Sequence, residues 1–500
     1  MRSKKALYNI ISELILQIII VLYGFVVPKI IISTFGSSVN GLISSITQFL
    51  GYIVLLESGF GPVVKAILYK PIAKKGKSEI ANILKTAENF FRTIAIIFLG
   101  YIFILAFIYP LVVKNEFEYY YTLSLVIIIS ISTFAEYFFG MTYKLYLQAE
   151  QKNYVISIIQ IIIYMLNIIA VVVLAKLNCS LHIIKLITGI VFVLRPIIQN
   201  LYVKKKYQLD IKNADSKYKI SQKWDGLAQH IASVIHSNTD ITILTFFCSL
   251  TEVSVYSVYY LVVKGMRSII QAFTSGIDAL FGNMMANEEK ANLSKKFDFY
   301  EIIYFIIAAI LYTSTLMLIV PFVTVYTKGI TDANYIRYGF GYLIVISEYI
   351  WAIRLPYSTI TFAAGHFKET RNGAWVEVLT NIIISIILVH KYGIIGVAIG
   401  TIVAMTIRTI EFVYHANKFI LKRSVLDSLK KIILVIIETV IVMVIIHFIP
   451  LYENVSYIFW LMNAIIIVVI SCIVIIGISF IFYHETVKEI IQIIKKQLKK

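Results

Sequence analysis

Apolar residues arrive in long blocks, separated by short polar breaks. Many of the blocks run to twenty residues or more, enough to cross a hydrocarbon core of about 30 Å as a helix. Outer-membrane barrels show a ten-residue alternation instead, and that pattern is absent. Apolar windows and breakers predict fourteen helices: 7–34, 40–64, 93–113, 119–146, 154–175, 181–203, 226–248, 251–283, 298–321, 333–362, 372–390, 393–417, 430–449 and 456–483. The expected fold is all-α, a polytopic membrane protein of about 14 transmembrane helices. The basic stretch between residues 418 and 431 divides them into twelve plus two.

Composition sharpens this picture. Of 500 residues, 59% are hydrophobic and 15% charged, against about a quarter charged in soluble domains. The mean hydropathy is +0.83. The N-terminal Met1-Arg-Ser-Lys-Lys5 precedes an apolar stretch that continues past Ile32, contains Glu13 and lacks a small-x-small cleavage site, so it reads as a retained first span. Cys179, Cys248 and Cys472 are too far apart for a disulfide framework or zinc site to be read from their spacing.

A net charge of +18 raises the question of nucleic acid. Its placement answers it. Sorted by loop, 38 of the 46 Lys and Arg residues fall to the N-terminus, the even-numbered loops and the C-terminus. Only 6 fall to odd-numbered loops (Lys114, Lys176, Lys185, Lys328, Arg337, Lys391), and Lys29 and Arg354 remain inside spans. This asymmetry predicts both termini in the cytoplasm, with the positive charge facing an anionic leaflet. No loop is long enough for a basic nucleic-acid-binding domain or a catalytic domain. The tail 484–500 alternates Ile and Leu with Lys as an interfacial amphipathic helix does, and Tyr119–Tyr121, Trp224 and Trp460 read as interfacial belt residues.

Enzyme signatures fail. Gly76-Lys77-Ser78 would end a phosphate-binding loop, but Pro71 stands where its first glycine belongs; His484-Glu485 has no second histidine; no Gly-x-Ser-x-Gly elbow occurs. No catalytic residue, metal site or cofactor is expected.

The chain echoes itself at about 214–217 residues. Ser58-Gly59-Phe60 returns as Ser275-Gly276-Ile277, Lys152 as Lys368, and Asn167-Ile-Ile as Asn381-Ile-Ile. Three echoes in order suggest two pseudo-symmetric six-helix lobes around a central cavity, as in transporters built from repeats. The expected division is 1–203, a linker 204–225, 226–417, two appended helices in 430–483, and the tail.

Charges inside spans are costly and mark cavities or internal pairs. By helical periodicity, Tyr256, Tyr260, Lys264, Arg267, Gln271, Thr274 and Asp278 share one stripe of the eighth helix, with Lys264 and Arg267 mid-depth. A cavity for an anionic group and a salt-bridge seam with the seventh or tenth helix are the two readings. The seventh helix carries Gln229, Ser233, His236, Ser237 and Asp240; the second carries Asn40, Ser44, Thr47, Gly51, Ser58 and Lys65, with Glu57 aside. Pro28 is expected to break the first helix beside Lys29. Glu136, Glu348, Arg354, Glu377, Arg408, Glu411 and Glu438 complete the intramembrane charges, Arg408 and Glu411 pairing at i,i+3. Lysine and arginine suit a phosphate or pyrophosphate, and tyrosine a sugar face. Candidate substrate contacts are therefore Lys264, Arg267, Lys29, Lys65, Arg354, Tyr256, Tyr260 and Gln271. Candidate acceptors for a coupling H+ or Na+ are Glu57, Asp240, His236, Glu136 and Glu348.

Several motifs, in order, carry a family resemblance: Phe35-Gly36…Asn40-Gly41, Leu55-Leu-Glu-Ser-Gly-Phe-Gly61, Leu147-Gln-Ala149, Asp240-Ile-Thr-Ile-Leu, Val255-Tyr-Ser257, Ala364-Gly365…Lys368, Asn381 and Gly393-Ile-Ile-Gly396-Val-Ala-Ile-Gly400. Over nearly its whole length the chain resembles the polysaccharide-transport branch of the multidrug/oligosaccharidyl-lipid/polysaccharide exporter superfamily, the O-antigen and capsule repeat-unit flippases. Glu57 stands where members often carry Asp. The resemblance implies alternating access, an undecaprenyl-pyrophosphate-linked oligosaccharide moved across a bacterial plasma membrane, ion-gradient coupling, and a place beside glycosyltransferases and a glycan polymerase. A lipid II flippase and a multidrug/cation antiporter of the same superfamily are the alternatives. A membrane-embedded polymerase would need a large outer loop or an acidic metal motif, and neither is present.

Overall fold

The computed structural model describes residues 2–57, 59–211, 213–215, 227–274, 277–286, 290–486 and 488–489. Ser58, Trp224, Ser275, Gly276 and most of the tail lie outside them, as do the side chains of His236 and Asp278. Among the described residues the chain is helical throughout and contains no strand. It forms two compact units, 1–254 and 255–500.

The first unit holds α1 (Arg2–Phe35), α2 (Ser37–Gly51), α3 (Val54–Glu57), α4 (Phe60–Lys74), α5 (Lys77–Val112), α6 (Tyr119–Ala135), α7 (Met141–Ala149), α8 (Asn153–Lys176), α9 (Leu181–Tyr207) and α10 (Leu227–Phe247). A π-helical turn, Glu136–Gly140, joins α6 to α7. Helix α11 (Leu250–Thr274) leads into the second unit, which continues with α12 (Ile277–Ala286), α13 (Lys290–Tyr326), α14 (Tyr338–Ala363), α15 (Arg371–Tyr392), α16 (Ile394–His415), α17 (Val425–His447) and α18 (Tyr457–Phe482).

Among the described residues, ten helices are long and apolar enough to cross a membrane, which makes this a multi-pass membrane protein. Four of the expected fourteen are not among the ten: α10, α11, α14 and α17, of 21 to 26 residues. Length does not separate them from the others. Their polarity does, because they carry Asp240, Lys264, Arg267, Glu348, Arg354, Lys431 and Glu438.

Three expectations need correction. The first helix is not broken at Pro28: α1 runs through it, so the one lost backbone bond is absorbed by a 34-residue helix. The second helix, expected as one span over 40–64, is three pieces. Glycines at 51, 59 and 61 weaken it, and Gly59 adopts a left-handed φ of 74° that begins α4. Lys65 therefore belongs to a different helix from Asn40 and Thr47, and the single polar stripe does not exist. The third and ninth helices are much longer than their apolar cores: α5 and α13 have 36 and 37 residues. Polar segments read as loops continue them.

Packing within each unit follows two devices. In the first, hydroxyl and amide pairs join α2 to α10 and the start of α11: Ser45 with Thr245 at 2.7 Å, Tyr52 with Thr242 at 3.0 Å, and Asn40 donating to Ser254 at 2.8 Å. A Cβ on Gly41 would lie 1.8 Å from the Leu250 carbonyl oxygen, so only glycine permits this approach. In the second, Gly400 brings α16 equally close to Ser385 of α15, as small residues do between membrane helices. Buried Asn381 donates to Thr401 beside it at 2.9 Å.

Candidate functional site

Helix α11 has three distinct faces. Val263 and Ile270 are buried. Ile269 and Phe273 are exposed and apolar. On the opposite side by helical periodicity, Lys264 and Gln271 are exposed, and Tyr260 and Arg267 are half-buried between them and the core. Tyr256 stacks on Tyr260 with ring centroids 5.8 Å apart.

The two cations of this stripe differ. Arg267 is held: its guanidinium lies 3.5 Å from Glu348 of α14 and 4.1 Å above the Trp351 ring. The salt-bridge reading thus applies to Arg267, and Glu348 is its counter-charge. Lys264 makes no ion pair among the described residues. A bare ammonium on a lipid-facing surface would be expensive, and Lys264 sits on the face away from Ile269 and Phe273.

The other intramembrane charges of this unit close on one another. Arg354 lies 2.7 Å from Glu377, whose second oxygen is 3.6 Å from Arg408; Arg408 also pairs with Glu411, as its i,i+3 spacing predicted, and donates to the Thr370 carbonyl at 2.8 Å. Arg354 is therefore part of a four-residue knot joining α14, α15 and α16. A second knot was not anticipated. Glu301 of α13, fully buried, accepts from Arg423 at 2.9 Å, from Lys431 of α17 and from the Tyr357 hydroxyl, while Asp298 pairs with the same Arg423 and Lys431. Two residues counted among loop cations thus fasten α17 to α13.

Beside this second knot lies a cavity of about 980 Å³. Phe273, Leu280, Ile303 and Ile307 give it an apolar wall; Lys295, Lys296 and Lys488 stand around it with Asp298, Glu485 and Glu489. Apolar depth with charge at one end matches an amphiphile.

In the first unit, charges gather where helix geometry is irregular. Glu136, at the start of the π-turn, lies 2.8 Å from Arg195 of α9 and 3.6 Å from Lys144 of α7. Tyr137, next along, hydrogen-bonds Glu57 of α3. His230 of α10 lies 3.3 Å from the Val54 carbonyl. The structure therefore brings Glu57 and Glu136 together, with Arg195, Lys144, Tyr137 and His230 that the sequence had not singled out. A π-turn often marks a functional bend. Its sequence signal is Gly140, whose Cβ would meet Pro196 of α9 at 2.8 Å. Asp240 is half-buried on α10, and Lys29 and Lys65 are half-buried on α1 and α4. No group of three or more metal-ligating side chains occurs among the described residues.

An all-helical membrane fold of this kind is shared with known transporters. The structure resembles the lipid II flippase MurJ in an inward closed conformation, with a TM-score of 0.67 over 95% of this chain and 99% of that one, at 17% identity. It also resembles an inward-facing multidrug resistance MATE family transporter of the MOP superfamily, with a TM-score of 0.61 over 80% and 94% of the two chains at 14% identity. A third similar structure is a MOP superfamily transporter from Pyrococcus furiosus, described by a reversed polarity of its binding pocket; the TM-score is 0.55 over 84% and 97%, at 13% identity. No family model and no curated protein sequence matches the chain. The fold is that of the MurJ and MATE transporters.

Proposed function

We propose that the protein is a flippase that carries an undecaprenyl-pyrophosphate-linked oligosaccharide repeat unit across the bacterial plasma membrane by alternating access between two six-helix lobes. The observation that carries this reading is Lys264: an exposed ammonium on the polar side of α11, without an ion pair among the described residues, one turn from a fixed guanidinium. A pyrophosphate is the kind of group that completes such a pair, since arginine offers directed donors and lysine a mobile point charge. Tyr256, Tyr260 and Gln271 along the same stripe suit the sugars. The apolar cavity flanked by Lys295, Lys296 and Lys488 suits the polyprenyl end of the same molecule.

Glu57 and Asp240 remain the acids proposed to take the coupling H+ or Na+, with His236 as a third candidate. Glu136 and Glu348, the other two candidates, each stand beside a basic partner. The protein works beside glycosyltransferases and a glycan polymerase for O-antigen or capsule-type surface polysaccharide, both termini in the cytoplasm. A second reading, a lipid II flippase, is favoured by the near-complete coverage of MurJ. A cation-exporting antiporter suits an exposed lysine poorly.

The test is reconstitution in liposomes with a fluorescent lipid-linked glycan whose exposure on the far leaflet is followed by an impermeant quencher. Lys264→Gln is expected to reduce the flipping rate about tenfold or more while the protein stays in the membrane, an effect of a lost charge-assisted contact. Undiminished flipping by Lys264→Gln would refute the site. Preference for lipid II over oligosaccharide-linked carriers would select the second reading.

A further inference from the structure

The first unit contains a cavity of about 370 Å³ enclosed by α2, α6 and α9 with Tyr23 of α1. Its polar lining is unusual in sign. Among the described residues, Lys185 of α9 is the one charged residue that lines it, and no carboxylate does. The sequence counted Lys185 with the outer loops, yet it stands a full turn inside α9. No ion pair or side-chain hydrogen bond to its ammonium occurs among the described residues. Thr47 and Thr133 face the same cavity, and among the described residues neither hydroxyl is spent on a hydrogen bond. Tyr137, also in the lining, commits its hydroxyl to Glu57, and Glu57 itself is not part of the wall.

We infer that this cavity is a binding site for a small monovalent anion, held by the Lys185 ammonium and the Thr47 and Thr133 hydroxyls. A partly buried ammonium without a counter-charge is costly, and an anion taken from solution relieves that cost while the proton stays on the amine. Two free hydroxyls supply the remaining donors. One positive charge matches one negative charge: a halide, or the carboxylate of an acidic sugar, for which Tyr23, Tyr137 and Phe192 offer ring faces. A phosphate dianion would leave a charge uncompensated. This site is separate from the α11 stripe and stands whether or not the flippase reading holds.

The experiment is calorimetric titration of the purified full-length protein in lipid nanodiscs with sodium chloride, sodium glucuronate or sodium phosphate, ionic strength held constant with gluconate-free organic buffer. Saturable, single-site binding of chloride or glucuronate is expected, the better of the two identifying the source. Lys185→Gln should weaken it about tenfold and Thr133→Val by a smaller factor, the weight of one charge-assisted and one neutral hydrogen bond. Lys176→Gln, an exposed lysine at the end of α8, serves as the control and should leave the titration unchanged. Should Lys185→Gln fold poorly, Thr133→Val carries the test alone. Absence of saturable binding in the unaltered protein, tighter binding of phosphate than of either monoanion, or binding unaffected by both substitutions would overturn the proposal.

Discussion

The Glu301 knot and the α11 stripe both place two cations among membrane helices, and they do so in opposite ways. Around Glu301, two acids and two bases are matched one for one, with Tyr357 and Ser428 occupying the remaining lone pairs. On α11, one base is matched and the next is left exposed. A closed set holds helices together and has nothing left to offer a ligand. An incomplete one contributes little to holding the fold and is suited to complete itself with something that arrives. The difference teaches that a charge inside a span is a poor guide by itself; what separates structure from function is whether its neighbours already cancel it.

Substitutions sharpen that contrast. The largest effect should come from Glu301→Ala, which removes the fully buried acid of the set and leaves Arg423 and Lys431 to share Asp298 alone: about 3–5 kcal/mol of stability, the usual cost of breaking a buried pair on one side, read as a lowered unfolding temperature in detergent. Lys264→Gln should stay within about 0.5 kcal/mol in the same measurement, as changes away from packed contacts do. Equal losses for the two would erase the distinction. Gly41→Val tests the interior without charge: its side chain collides with the Leu250 backbone, and overpacking of that kind costs about 1–3 kcal/mol or more. Arg354→Gln leaves Glu377 with Arg408 alone and should cost about 1–3 kcal/mol. Arg267 and Glu348 lie 3.5 Å apart with the arginine partly exposed, and their double-mutant coupling should be about 0.2–1 kcal/mol. A coupling several times larger would move this pair into the closed class.

The all-helical membrane fold was legible because long apolar runs admit few other structures. Interruption was legible less well. Pro28 signalled a break that α1 does not make, since one missing donor is cheap within a long helix. Gly51, Gly59 and Gly61 lie where one does occur, within a segment expected as a single helix, because small residues also serve close packing between membrane helices. At the candidate site, the face shared by Tyr260, Lys264, Arg267 and Gln271 followed from the helical period alone. Its partner Glu348, like Arg195 beside Glu136 and Arg423 beside Glu301, comes from a helix tens of residues or more away, and no periodicity within one segment reports such a meeting. The Arg408–Glu411 pair was the exception, because both ends lie on one helix.

Helix α13 has a consequence of its own. Its 37 residues rise about 55 Å at 1.5 Å each, roughly 25 Å more than a hydrocarbon core needs. Asp298 and Glu301 lie within three turns of its start, so the fastening to α17 falls near the overhang. The helix continues from there without interruption, and Pro321 comes only close to its far end. The overhang has no joint of its own, and a force applied there by ionic strength, a lipid headgroup or another protein acts on the whole rod.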